Sequence, residues 1–180
     1  MGKKSVAIIG ANGYIARNLI ALMDQSRYDL RLYDRDPAHK EGIQHYTCVD
    51  ITSPAQVDLI DMDCDYLYML AGRTGTAQGF EEYESFLEVN EKGLLNLLNA
   101  HVRKRSAAKV VFASTRLLYR GSADALREDA PKEFKTIYAI NKYACEAYLE
   151  MYRNMYDVHY LVLRLCIPYG NLVDTQYSYG

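Results

Sequence analysis

The sequence predicts an α/β fold, a doubly wound parallel sheet between two layers of helices. Three observations point to it. Short apolar runs alternate with helical patterns through most of the 180 residues. The first run, Ser5-Val6-Ala7-Ile8-Ile9, breaks at a glycine-rich turn, Gly10-Ala11-Asn12-Gly13, and passes directly into a helical pattern. Small or polar residues stand where the runs end, at Gly10, Asp34, Ala71 and Thr115. Such alternation calls for parallel strands joined by right-handed crossovers, with ligands lying outside the carboxyl ends of the strands.

Taken in order, residues 5–9 read as a buried strand. The helix after them carries Ile15, Leu19, Ile20 and Leu22 at helical spacing. Gly10 allows the tight turn, and Gly13 lets the backbone approach a pyrophosphate at the helix N-terminus. Ala16 serves as the third small residue, letting helix and strand pack closely. A second run, residues 28–33, ends in Asp34, 24 residues after Gly10. An acidic side chain there accepts hydrogen bonds from adenosine ribose hydroxyls and repels a 2′-phosphate, which argues for NAD over NADP. Arg35 works against that preference, and without this context Asp34-Arg35-Asp36-Pro37 is simply a charged turn.

Residues 43–49 read as a third strand, closed by Asp50-Ile51, after which Ser53-Pro54 is an N-cap followed by proline at the first helical position. A fourth strand, 65–70, ends in Ala71-Gly72, small enough for a cofactor to lie against it. The loop 73–79 is rich in Gly and Thr and is expected to be mobile. A long helix is expected over 80–105, with Phe86, Val89, Leu94, Leu97 and Leu98 apolar and Asn90 an exposed polar residue within it. A fifth strand, 109–113, leads to Ser114-Thr115. A helix over 138–156 and a sixth strand over 158–166 follow, and Pro168-Tyr169-Gly170 turns away. There is no internal repeat, low-complexity tract or linker, so one domain is expected over 1–180.

With 49% hydrophobic residues and 24% charged, the composition is that of a soluble protein with a substantial core. A net charge of −2 argues against a nucleic-acid partner. Arg103-Lys104-Arg105 falls at the end of a helix, where cations complement the dipole. None of Cys48, Cys64, Cys145 and Cys166 forms a C-x-x-C pair or a zinc spacing, so no metal is expected. Cys48, Cys64 and Cys166 lie in or beside predicted strands, as small hydrophobes, which suits a reducing cytoplasm. Met1-Gly2-Lys3-Lys4 leads into a strand without a long apolar signal region, and no stretch reaches membrane-spanning length.

Tyr138 and Lys142 carry the chemistry. Four residues apart, they share one face of a helix. An ammonium near a phenol favours the phenolate, which is how a tyrosine acts as a base near neutral pH. In a chain with 17 tyrosines, packing plus a solvated charge would give the same pair.

The motifs taken together resemble an extended short-chain dehydrogenase/reductase of the NAD-dependent epimerase/dehydratase group, which acts on nucleotide sugars. They are Gly10-x-x-Gly13-x-x-Ala16, Asp34, Asp50-Ile51, Leu70-Ala71-Gly72, Asn90-x-x-Gly93, Ser114-Thr115-x-x-x-Tyr119, Tyr138-x-x-x-Lys142 and Arg164-x-x-x-x-Tyr169-Gly170. The resemblance implies a Rossmann-like, three-layer α/β/α domain. It implies an NAD site formed by Gly10, Asn12, Gly13, Tyr14, Ile15, Asp34, Asp50, Ile51, Leu70, Ala71 and Gly72, together with Tyr138 and Lys142. Asp50 and Ile51 would contact the adenine, and Thr115 would hydrogen-bond the reacting hydroxyl. Tyr138 would be the catalytic acid/base, and Lys142 would bind the nicotinamide ribose and lower the tyrosine pKa. A homodimer through a four-helix bundle, built from the helices over 80–105 and 138–156, is implied as well.

The chain departs from the family pattern in four places. Ala16 replaces the third glycine. Arg116-Leu117 stands where the 4,6-dehydratases carry Asp-Glu, so their acid and base for water elimination are missing. Arg120 follows the motif tyrosine in place of Gly. Members continue well past the Tyr-Gly motif into a smaller sugar-nucleotide-binding domain, so most of that domain is expected to be absent from these 180 residues. The resemblance implies an epimerase, with an oxidoreductase that releases its product as the main competitor. The alternative from a different class is a non-catalytic dinucleotide-binding sensor or regulatory module.

Overall fold

A computed structural model describes residues 2–169. Six strands form one sheet: β1 Lys4–Ile9, β2 Tyr28–Asp34, β3 Tyr46–Cys48, β4 Tyr66–Met69, β5 Lys109–Thr115 and β6 Tyr160–Leu165. Their order is β3-β2-β1-β4-β5-β6 and every pairing is parallel. The helices are α1 Tyr14–Leu22, α2 Pro54–Val57, α3 Gln78–Glu81, α4 Tyr83–Phe86, α5 Gly93–Arg103 and α6 Ile137–Tyr156. The chain starts in the middle of the sheet, winds to the β3 edge, then returns past β1 to the β6 edge. The two halves diverge between β1 and β4, where a crevice opens at the carboxyl ends of the strands.

Alternation along β1 explains why it reads as an unbroken apolar run. Val6 and Ile8 pack with Leu32 against Ala16 and Ile20 of α1. Ala7 and Ile9 face the opposite layer, where Val57 of α2, Leu94, Leu97 and Leu98 of α5, and Cys145 and Leu149 of α6 form the larger core. A strand covered on both faces has no polar face to show. In α1 the buried stripe is Ala16 and Ile20, while Leu22, expected within it, is exposed at the helix end.

The helix expected over 80–105 is broken. Glu82, at φ −115° and ψ 33°, separates α3 from α4, and a π-helical segment, Leu87–Lys92, intervenes before α5. Asn90 within it is buried, not exposed. It lies four residues after Phe86 and four before Leu94, on the stripe those two buried side chains define. The third strand is also shorter than expected, Tyr46–Cys48, and the residues before it, 36–41, form a loop tied to the glycine turn. Conversely, β5 runs on to Thr115, placing Ser114 and Thr115 on the strand itself.

Cys48 and Cys166 are exposed and Cys64 is half-buried, whereas Cys145, on α6, is fully buried. Cys64, beside β4, packs against the larger core as expected and is joined there by the helical Cys145, while Cys48 sits on the sheet edge and Cys166 just past β6. The basic run at the end of α5 does more than meet a dipole. Arg103 pairs with Asp58, and Lys104 Nζ donates to the carbonyls of Asp58 (2.7 Å) and Ile60 (2.9 Å), fastening α5 to the turn after α2. No helix among the described residues is long and apolar enough to cross a membrane. Gly170 of the expected Tyr-Gly turn lies outside the described residues.

Candidate functional site

The glycine turn is shaped by a close approach of two strand ends. Leu70 and Ala71 both donate their backbone N–H to Ile9 O, at 2.9 and 2.8 Å. Gly10, at φ +89°, lies directly beneath them, and a Cβ there would overlap the Ala71 backbone. No other residue type fits. Gly13 caps α1 without contributing a side chain, and the first turn of the helix faces the crevice.

Asn12 is held by the fold. Its Nδ2 donates to Ala38 O at 3.0 Å, and its Oδ1 accepts from Lys40 N at 2.9 Å. Arg17 pairs with Glu41 at the far end of the same loop. The Asn12 side chain therefore positions the loop after β2, while its backbone N–H donates to Asp34 Oδ2 at 2.9 Å. Asp34 Oδ1 accepts from Asp36 N at 3.4 Å. A carboxylate offers about four lone-pair sites, so Asp34 retains capacity for hydroxyl donors.

Every expected site residue lines one of two adjoining clefts. One, of about 280 Å³, is bounded by Gly10, Asn12, Asp34, Arg35, Asp36, Asp50, Ile51 and Ala71. The other, of about 440 Å³, is bounded by Tyr14, Ile15, Thr115, Arg116, Leu117, Tyr138 and Lys142. Gly13, Leu70 and Gly72 border both. A Cβ on Gly72 would stand 3.1 Å from Asn90 Oδ1 and 3.4 Å from Lys142 Nζ, so glycine keeps the passage between the clefts open. Arg116 and Leu117 are exposed at the rim of the larger cleft.

Thr115 and Tyr138 come to the larger cleft from opposite directions. Thr115, at the end of β5, caps the 3-10 turn Arg116–Leu118 by accepting Leu117 N at Oγ1 (3.2 Å). That bond uses an acceptor site and leaves the hydroxyl proton for another partner. Thr136 caps α6 by accepting Ala139 N at 3.0 Å, which sets Tyr138 in the first turn. Lys142 follows one turn later. Its Nζ lies 4.6 Å from the centroid of the Phe112 ring and 5.8 Å from that of Tyr138. Lys142 is only 4% exposed. Burial, with no carboxylate partner among the described residues, pushes its ammonium down to about 8. It is nonetheless mostly charged at pH 7.

Two features escaped the sequence reading. Asn90 accepts Arg73 N at Oδ1 (2.8 Å) and donates from Nδ2 to Arg73 O (3.1 Å). Arg73 also reaches Ser85 and Glu82, so the loop expected to be mobile is fastened at its first residue. The helical spacing from Phe86 was the available signal. Glu146, one turn beyond Lys142, joins the strands behind the cleft, and only its position on the Tyr138–Lys142 face hinted at this.

These features fit a dinucleotide. Two clefts meet over a glycine turn, with a carboxylate in one and a buried ammonium in the other, suited to hydroxyl and phosphate oxygens.

The sheet order and glycine turn define a Rossmann-fold protein. More particularly, the chain belongs to the NAD dependent epimerase/dehydratase family, whose model matches residues 6–178. It is 26% identical over 163 residues to a UDP-glucose 4-epimerase of Mycolicibacterium smegmatis, an alignment covering 84% of this chain and 52% of that protein. Among solved structures, it resembles the UDP-glucose 4-epimerase of Brucella ovis in complex with NAD, with a TM-score of 0.81 and 21% identity over 89% of this chain and 51% of that one. The UDP-glucose 4-epimerase of Thermus thermophilus, also with NAD, gives a TM-score of 0.79 and 24% identity over 89% and 54%. At these identities the structural likeness establishes the fold. The chain spans about half the length of these relatives.

Proposed function

We propose that the complete protein is an NAD-dependent epimerase or oxidoreductase acting on a nucleotide sugar, and that residues 1–180 supply its dinucleotide-binding domain. The observation that carries this reading is the convergence of Thr115, Tyr138 and Lys142 on one cleft that continues into the cleft of Asp34. Bound NAD supplies the hydride acceptor and, in an epimerase, the donor that returns the hydride to the other face of the carbon. Tyr138 takes the proton from the sugar hydroxyl at that carbon. Thr115 hydrogen-bonds the same hydroxyl and orients it. Lys142 holds the nicotinamide ribose hydroxyls with its buried ammonium and, being cationic, favours the tyrosine phenolate. Asp34 receives the adenosine ribose hydroxyls, and Asp50 and Ile51 flank the adenine. The cleft carries three carboxylates, Asp34, Asp36 and Asp50, against two guanidinium groups, Arg35 and Arg73, which supports NAD over NADP.

Replacing Tyr138 by Phe tests this reading. Loss of positioned acid–base help costs about 10²–10⁴ in rate, so turnover by the complete protein should collapse while NAD affinity is kept. A loss of only about a tenth of the activity, far below that range, would make Tyr138 a packing residue. Net reduction of NAD during turnover would mark an oxidoreductase, and its absence during isomerisation an epimerase. Little turnover is expected from the 180-residue chain alone.

The same reading includes a homodimer through a four-helix bundle. It is supported by exposed apolar side chains on the helices concerned, with Tyr83 and Leu87 on one and Ile140, Tyr143, Met151 and Met155 on the other. Sedimentation as a monomer at micromolar concentration would count against it.

A further inference from the structure

Behind the cleft, one carboxylate joins the elements that carry the proposed reacting groups. Glu146 lies on α6, four residues after Lys142 and eight after Tyr138, on the same helical face. It lines neither cleft. Its Oε1 accepts Ser114 Oγ at 2.5 Å and Arg164 Nε at 3.0 Å, and its Oε2 accepts Arg164 Nη2 at 2.7 Å. From β6, Arg164 donates Nη1 onward to Tyr119 Oη (2.7 Å) and Glu128 O (2.8 Å). Glu146 thus reaches the end of β5 directly, and through Arg164 it reaches β6 and the excursion after the 3-10 turn. That excursion is itself closed by Arg120 N to Pro131 O and Glu133 N to Leu118 O.

α6 also meets β5 through Lys142 Nζ over the Phe112 ring and through apolar packing, with Cys145 and Leu149 in the same core as Val110 and Phe112. Apolar packing sets the separation between layers but has no direction along the strand. A charge-assisted hydrogen bond does, and is about twice as strong as a neutral one. A buried ion pair is often no more stabilising than an apolar pair of similar volume. The distinctive contribution of the cluster is therefore geometric.

We propose that Glu146 is a positioning residue. By holding Ser114 against α6, it fixes the Thr115 hydroxyl relative to the Tyr138 and Lys142 side chains. The proposal rests on the reading of Thr115 and Tyr138 as the groups that meet the substrate.

The test uses Ser114→Ala, which removes the donor and leaves the Glu146–Arg164 pair intact, and Glu146→Gln, which removes the charge at constant size. In the 180-residue chain, amide hydrogen exchange is followed at Leu117, whose N–H is held by Thr115 Oγ1, and at Phe112 and Leu149. Both variants should speed exchange at Leu117 by about tenfold or more, with little change at Phe112 and Leu149, as local release requires. In the complete protein, a misplacement of about 1 Å can cost about 10²-fold, so kcat should fall about 10- to 100-fold while KM and NAD affinity hold within about twofold. Ser114→Thr, which keeps the hydroxyl, should restore kcat. The double variant should be no worse than the poorer single one, because both break the same link. Uniform acceleration at all three amides, an unchanged Leu117, or additive losses would each overturn the proposal. If the unsubstituted complete protein shows no turnover, the enzymatic reading fails, and the exchange experiment still decides whether Glu146 positions Thr115.

Discussion

Replacing Lys142 by Met should make the cofactor-free chain more stable. The ammonium is buried against Phe112, and its pKa is lowered from 10.5 to about 8. The unfolded chain thus holds this proton more tightly than the folded one, and burying the charged form opposes folding at every pH below about 8. The size follows from the displacement. About 2.5 pKa units at about 1.4 kcal/mol each is about 3 kcal/mol. Met is similar in length, keeps the contact with Phe112 and carries no charge. At pH 7 the variant should therefore gain about 3 kcal/mol, or roughly 6–12 °C in melting temperature for a chain of this size. As pH rises through 8 towards 10.5, the native lysine loses its proton and the difference shrinks, to about 1 kcal/mol at pH 10. Thermal unfolding followed by circular dichroism at pH 7 and pH 10 measures both numbers, and all other titrating groups cancel in the comparison. NAD should oppose the trend. It stabilises the native chain in proportion to ln(1 + [NAD]/Kd), and the variant, lacking the proposed ribose contact, should gain less. A variant less stable than the native chain at pH 7, or a gain that does not shrink with pH, would refute the reasoning and show that the ammonium is satisfied within the fold.

Three further outcomes are expected. Gly10→Ala places a methyl group against the Ala71 backbone at a positive φ, and should cost about 3 kcal/mol or more, measured by denaturant unfolding. Asn90→Ala removes both hydrogen bonds to the Arg73 backbone and should destabilise by about 1–3 kcal/mol, with faster hydrogen exchange at Arg73 as its local signature. Asp34→Asn should weaken NAD binding by about 1.5–3 kcal/mol and narrow the preference over NADP, read by calorimetric titration of both; tighter NADP binding by the native chain would show that Arg35 sets the choice.

Much of the candidate site was legible because it depends on local spacing. Gly10 and Gly13 bracket a turn, and Asp34 ends the second apolar run. Tyr138 and Lys142 share a helical face whatever surrounds them. Other features arise between residues far apart in the chain, where no periodicity speaks. The clamp of Asn90 on Arg73 spans 17 residues, and the bond from Ser114 to Glu146 spans 32. The break of the long helix at Glu82 belongs to this second kind, since the apolar pattern runs through it without interruption. The loop tied to Asn12 and Arg17, just before the expected third strand, is another such case.

By itself, then, the sequence determined the order in which strands and helices alternate, most of their apolar stripes, and which side chains stand at the strand ends. These follow from steric and hydrophobic preferences that act within a few residues. Only the tertiary structure decided that Lys142 lies buried without a carboxylate partner among the described residues, that Asn90 points inward, and that Glu146 ties Ser114 to the helix of Tyr138. Each depends on desolvation and on directional hydrogen bonds, which exist only once distant segments are packed together.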